Sequence, residues 1–179
     1  MSESLLQISS AVDPVLPAET KRALDSIYSQ VPSVTCGCDR LGQCCELTQE
    51  EAADDWATMY PLYAVEYLNI VDYVRSHFSP DEQERVLSFV EERPMRCPFL
   101  TEAGGCSVHP SRPLICRTYG VVSKDQLMET RDRLEGEVPS IWLRAFEKNE
   151  SCTVCSHTEV QEPGKVSGHA ERMATFAYD

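Results

Sequence analysis

The sequence predicts a mainly α fold: a small, single-domain helical scaffold interrupted by irregular cysteine-rich loops. Three observations predict it. Apolar residues recur at helical spacing in successive segments that open on capping residues and stop at proline or glycine. The nine cysteines collect in glycine- and proline-rich stretches between those segments. A chain of 179 residues is also one ordinary domain, able to bury roughly 70% of its unfolded surface without a staple. A shortage of core therefore does not explain the thiols.

Residues 1–14 are polar with little periodicity and read as a loose N-terminal arm. Residues 15–160 read as the one cysteine-cluster domain and 161–179 as a polar C-terminal tail. Between Pro17 and Val31, the residues Leu24, Ile27, Tyr28 and Val31 fall at i, i+3, i+4 and i+7, an amphipathic helix. Pro17 suits its first turn and Pro32 marks its end. Cys36-Gly-Cys38-Asp-Arg-Leu-Gly-Gln-Cys44-Cys45 is too dense in glycine and cysteine for a regular element. Thr48-Gln-Glu-Glu51 has the capping-box form and opens a second helix through Trp56 and Met59, interrupted by Pro61. Leu62 to Phe78 is a third helix, with Val65, Leu68, Val71, Tyr73 and Val74 as a broad apolar stripe. Ser79-Pro80-Asp81-Glu82 combines a hydroxyl cap, a proline in the first turn and early acids. The helix it opens carries Val86, Leu87, Phe89 and Val90 and stops before Pro94. Residues 95–120, with Gly104-Gly105, read as loop holding at most a short extended piece. Ser123-Lys-Asp-Gln126 caps a helix to Leu134, and Gly136 breaks the pattern. A short helix follows from Pro139 to Glu147, with Ile141, Trp142, Leu143 and Phe146.

Charge excludes several classes of partner. Lys and Arg number 16 against 29 Asp and Glu, a net charge of -13. Nucleic-acid affinity rests on neutralising phosphates, so no nucleic acid is expected as a partner. An anionic membrane surface is disfavoured for the same reason, and no stretch has the ~18 apolar residues of a span. The first residues, MSESLLQISS, lack the basic and apolar regions of a signal peptide, so a reducing, cytoplasmic location is expected. In such a compartment clustered thiols point to metal or redox chemistry rather than to structural disulfides. An odd number of cysteines also leaves one unpaired in any disulfide framework.

The thiols form three groups, at 36–45, 97–116 and 152–155. Thiolate is the soft ligand that suits zinc and iron–sulfur clusters, and helices can bring distant loops to one metal site. Cys38, Cys44, Cys45, Cys97, Cys106 and Cys116 are the principal candidate ligands, with Cys36, Cys152 and Cys155 as further ones. Only Cys152 and Cys155 have the two-residue knuckle spacing. Four thiolates on one zinc or on an oxidised four-iron cluster leave a net charge of about -2. Arg112 and Arg117 flank Cys116, and their guanidinium groups are placed to offset that charge and donate to sulfur. His109 and His157 lie near cysteines but read more readily as solvated or capping side chains, because thiols are already in surplus.

Two half-motifs carry a resemblance. The first is Gly42-Gln43-Cys44-Cys45 followed by Leu47-Thr48 and an acidic helix start. The second is Cys97-Pro-Phe-Leu100, then Cys106-Ser-Val, then Arg112-Pro113-Leu-Ile-Cys116-Arg117-Thr-Tyr119-Gly120. Together they resemble the bacterial YkgJ-type cysteine-cluster family, zinc- or iron-chelating proteins with a CxxCxxCC signature. The family spaces its first cysteines C-x2-C-x2-C-C; here the outer one falls on Cys38, Leu41 stands at the middle position, and Cys36 is an extra thiol upstream. The resemblance implies a metal-binding protein that holds an iron–sulfur cluster, [4Fe-4S] by type, or Zn2+, as a redox or accessory module. It also extends to flagellin lysine N-methylases, so the alternative is a cluster-dependent protein-modifying enzyme such as a lysine N-methyltransferase. No glycine-rich strand–turn–helix motif for S-adenosylmethionine is present in the sequence.

Overall fold

A computed structural model describes residues 15–38, 42–53, 63–88, 94–148, 154–175 and 177–178. The arm at 1–14, the part of the expected second helix that holds Trp56 and Met59, Phe89 with Val90, Leu41 and Cys152 all lie outside the described residues. Within them the fold is mainly α, with a single two-stranded sheet.

Helix α1 (Ala18–Tyr28) follows Pro17 and buries Leu24 and Tyr28 against α3 (Ala64–His77). Between them come β1 (Val34–Cys36), a 3-10 turn at Gln43–Cys45 and the short α2 (Gln49–Ala53). Helix α4 (Pro80–Leu87) starts as its sequence dictates: the Glu82 carboxylate accepts from the Ser79 backbone N at 3.0 Å and from Ser79 Oγ at 2.7 Å. Ile70, Val74, Val86, Phe99 and Val108 make one apolar cluster, against which Cys97 and Cys106 pack. Val74 and Val86 are fully buried, each contributing about 1.5–3 kcal/mol.

A second cluster forms on α6 (Lys124–Leu134), α7 (Ser140–Lys148) and α8 (Val166–Ala174). It joins Val31, Val121, Val122, Leu127, Leu134, Leu143, Val166, Ala170, Ala174 and Tyr178. The capping box of α6 is made, with Gln126 N donating to Ser123 Oγ at 3.2 Å and Ser123 N to Gln126 Oε1 at 3.0 Å. Residues 97–122 run from the first cluster to the second, so the central cysteines lie on the segment that bridges them.

The structure departs from the sequence reading in three places. The stretch at 95–120 holds a 3-10 turn (His109–Ser111) and helix α5 (Leu114–Thr118), so Cys116 is helical rather than in a loop. One turn between Pro113 and Gly120 is too short to show periodicity. Residues 166–174, within the expected polar tail, form α8, whose Val166, His169, Ala170 and Ala174 are buried. Small alanines and a histidine disguised that face. Finally, β1 pairs antiparallel with β2 (Thr158–Val160), Val34 opposite Val160 and Cys36 opposite Thr158.

Candidate metal centre

Two close backbone approaches lock the cysteine loops together. Gly42 has φ +78, and a Cβ there would stand 2.3 Å from Leu100 Cδ1 and 2.7 Å from the Gly104 carbonyl oxygen. Only glycine allows both that conformation and that contact. From this point the first loop pairs with the second: Leu47 N donates to Met95 O, and Cys97 N to Cys45 O, each at 2.8 Å. The second loop folds on itself, with Leu100 bridged to Cys106 and Ser107 N donating to Phe99 O at 2.8 Å. Gly120, at φ +77, lies under Thr158, whose Oγ1 donates to the Gly120 carbonyl at 2.7 Å. The motif glycines thus join the loops to one another and to β2.

This assembly places Cys44 within electrostatic reach of Cys45, Cys97, Cys106 and Cys116. The Cys45 thiol hydrogen-bonds to Cys44, which together with a backbone N–H and Arg112 lowers Cys44 to about 6. Cys45 is raised by that same bond, by burial, and by the fields of Cys44, Cys97 and Cys116. The hydrogen bond between the two thiols thus favours one negative charge on the pair. Burial, then neighbouring thiols, raise Cys97. Burial also raises Cys106, where the Val108 N–H and Arg112 pull the other way. Cys116 is exposed by surface area, yet the protein packed about its sulfur and the fields of Cys97 and Cys106 push it up to about 12. Cys36, exposed at the end of β1, is raised by burial, by Cys44 and by Cys155. Cys38 and Cys155 are half-buried. Among the described residues, no three Cys, His, Asp or Glu side chains stand in closed ligand geometry.

The two arginines have different surroundings. Arg112 lowers Cys36, Cys44, Cys106 and Cys116, so its charge faces the thiols. Its Nε is buried with no hydrogen-bond partner among the described residues. An orphaned buried donor costs about 1–3 kcal/mol, and a negatively charged thiolate centre is the acceptor that would relieve it. The soft donor set and this orphan donor fit a thiolate-bound metal. Arg117 points elsewhere: Nε donates to Arg112 O at 2.7 Å, Nη2 to Pro110 O at 2.6 Å, and its guanidinium lies 3.9 Å from the Tyr28 ring centroid. It braces the loop that carries Arg112. His109 and His157 are exposed, the latter accepting from Gly37 N through its carbonyl at 2.7 Å.

Sequence reasoning missed Glu66 and the part played by Tyr28. Glu66 is 4% exposed, and its Oε1 accepts from Tyr28 Oη at 3.0 Å and from Leu114 N at 2.6 Å. The signal was available: Glu66, Asn69, Ile70 and Val74 share one face of α3, and all are buried.

No curated protein matches the chain, and no solved structure does. Residues 37–135 match the CxxCxxCC family, described as a "putative zinc- or iron-chelating domain". That span covers more than half of the chain and all five of the central thiols, so the chain belongs to the CxxCxxCC family of zinc- or iron-chelating domains.

Proposed function

We propose that the chain holds an iron–sulfur cluster, or failing that a zinc ion, on thiolates drawn from Cys38, Cys44, Cys45, Cys97, Cys106 and Cys116, and acts as a redox or accessory module. The observation that carries this reading is the gathering of Cys45, Cys97, Cys106 and Cys116 about Cys44, beside Arg112, whose buried Nε has no hydrogen-bond partner among the described residues. Zinc would supply a rigid clamp, whereas a cluster would supply a one-electron carrier. The Cys44–Cys45 hydrogen bond favours one thiolate on the pair, and metal binding would displace the remaining thiol protons. Arg112 balances the charge of the thiolates, and Arg117 holds the Arg112 backbone in place. Five thiols exceed the four that either one zinc or one [4Fe-4S] cluster takes, so one of them is left over from the central set. Cys36 and Cys155, brought near by β1 and β2, join it or hold a separate zinc with Cys152.

Protein made and kept without oxygen tests this directly. Broad absorbance at about 400 nm with stoichiometric iron and labile sulfide supports the cluster. Colourless protein with stoichiometric zinc and no sulfide decides for zinc, and protein free of both metals refutes the reading.

A further inference from the structure

We propose that Glu66, a buried carboxylate on α3, is a positioning residue for the metal centre: it fixes where Cys116 stands by gripping the first turn of α5. The inference deepens the metal-centre reading, on which it rests for its second readout.

Helix α5 has five residues, Leu114–Thr118, and one turn of helix does not hold itself in place. Its start is held from outside. Pro113 offers no N–H, so Leu114 carries the first free donor, and Glu66 Oε1 takes it at 2.6 Å. The same oxygen accepts from Tyr28 Oη at 3.0 Å, and the Tyr28 ring supports Arg117 at 3.9 Å. Arg117 returns to the cysteine loop through Arg112 O and Pro110 O. Glu66, Leu114, Arg117 and Tyr28 therefore form a closed circuit linking α1 and α3 to the turn that carries Cys116. A circuit kept only for stability would be cheaper to build from apolar side chains, because burying a carboxylate costs several kcal/mol of hydration. What the carboxylate adds is direction: one oxygen at one point in space.

Glu66→Gln keeps an oxygen able to accept both bonds and removes the charge. Glu66→Asp keeps the charge and draws the oxygen back by one methylene. The first readout uses full-length, reduced, metal-free protein, pulse-alkylated with iodoacetamide and mapped cysteine by cysteine. Glu66→Asp should change the Cys116 rate about tenfold, the worth of one hydrogen bond to a charged group, with Cys97 and Cys106 unaffected. Glu66→Gln should match the wild type. The second readout is cobalt(II) affinity, which should fall about tenfold or more in Glu66→Asp and hold in Glu66→Gln. The proposal is overturned if Glu66→Asp alkylates or binds cobalt as the wild type does. A change in Glu66→Gln that Glu66→Asp does not share overturns it in favour of a charge effect. Equal changes in both variants overturn it because the oxygen position kept in Glu66→Gln then does not matter, and equal changes at every cysteine overturn it in favour of general loosening. Wild-type protein that takes up no metal sinks the metal-centre reading instead, and the alkylation arm still decides what Glu66 does.

Discussion

Arg112 and Arg117 lie five residues apart, and their side chains serve different neighbours. Replacing Arg112 with Ala should lower metal retention about 10–100-fold, as loss of a group supporting the ligands typically does. Lys should rescue only part of this, because it lacks the planar fork of donors. Chelator competition measures both, and unchanged retention in Arg112→Ala would return that residue to an ordinary surface role. Arg117→Ala should give a smaller loss, since its effect passes through the Arg112 backbone. Spacing could show that both arginines flank Cys116. It could not show that Arg117 turns toward Tyr28, a ring supplied by a different helix. Gly42 is a second sharp case, standing in the motif for a reason its neighbours do not reveal. Gly42→Ala should cost about 1–2 kcal/mol for the left-handed backbone alone. The 2.7 Å approach to Gly104 O adds to that cost. A urea midpoint equal to the wild type's would show that the two loops do not meet there.

Helix α8 shows why an element can hide in its sequence. Its inward face is Val166, His169, Ala170 and Ala174, and a histidine there reads as polar. In the fold His169 is fully buried, its Nδ1 lies 2.7 Å from Tyr178 Oη, and burial first, then Arg172, lower it from 6.5 to about 4. The neutral form is thus the folded form. Because the folded pKa is the lower one, this contribution is complete above pH 6.5, declines as pH falls, and is gone by about pH 4. A shift of that size is worth about 3 kcal/mol. Urea unfolding at neutral and mildly acid pH checks it: His169→Asn should flatten the acid limb, and an undiminished slope would acquit His169. Helices with strong caps, α4 and α6, were legible because Ser79 and Ser123 announce themselves locally. Helix α5 was not, because its start depends on a carboxylate donated by α3.

The helical character of the whole molecule and its metal-chelating family could both be read from the chain, the first from periodicity and the second from two half-motifs. The pairing of β1 with β2 could not, because three residues facing three others more than a hundred positions away leave no local pattern. The two apolar clusters are built on helices, while the thiol segment crosses between them. Stripping the metal should therefore loosen the 36–47 and 94–118 stretches and leave α6 and α8 protected. Metal-binding free energy adds to folding free energy only where the ligands are gathered. Hydrogen exchange before and after chelation separates the outcomes, and uniform loss of protection would contradict this division. Among the described residues no helix is long and apolar enough to cross a membrane.

The β1–β2 pairing also imposes an order of assembly during synthesis. Cys36 sits in a strand whose partner, Thr158–Val160, leaves the ribosome more than a hundred residues later. At about 5–20 residues per second that delay is roughly ten seconds. Throughout it, Cys36 is made but its strand has no partner. Any ligand role of Cys36 would thus come last, after the loops that carry Cys44 to Cys116 have met.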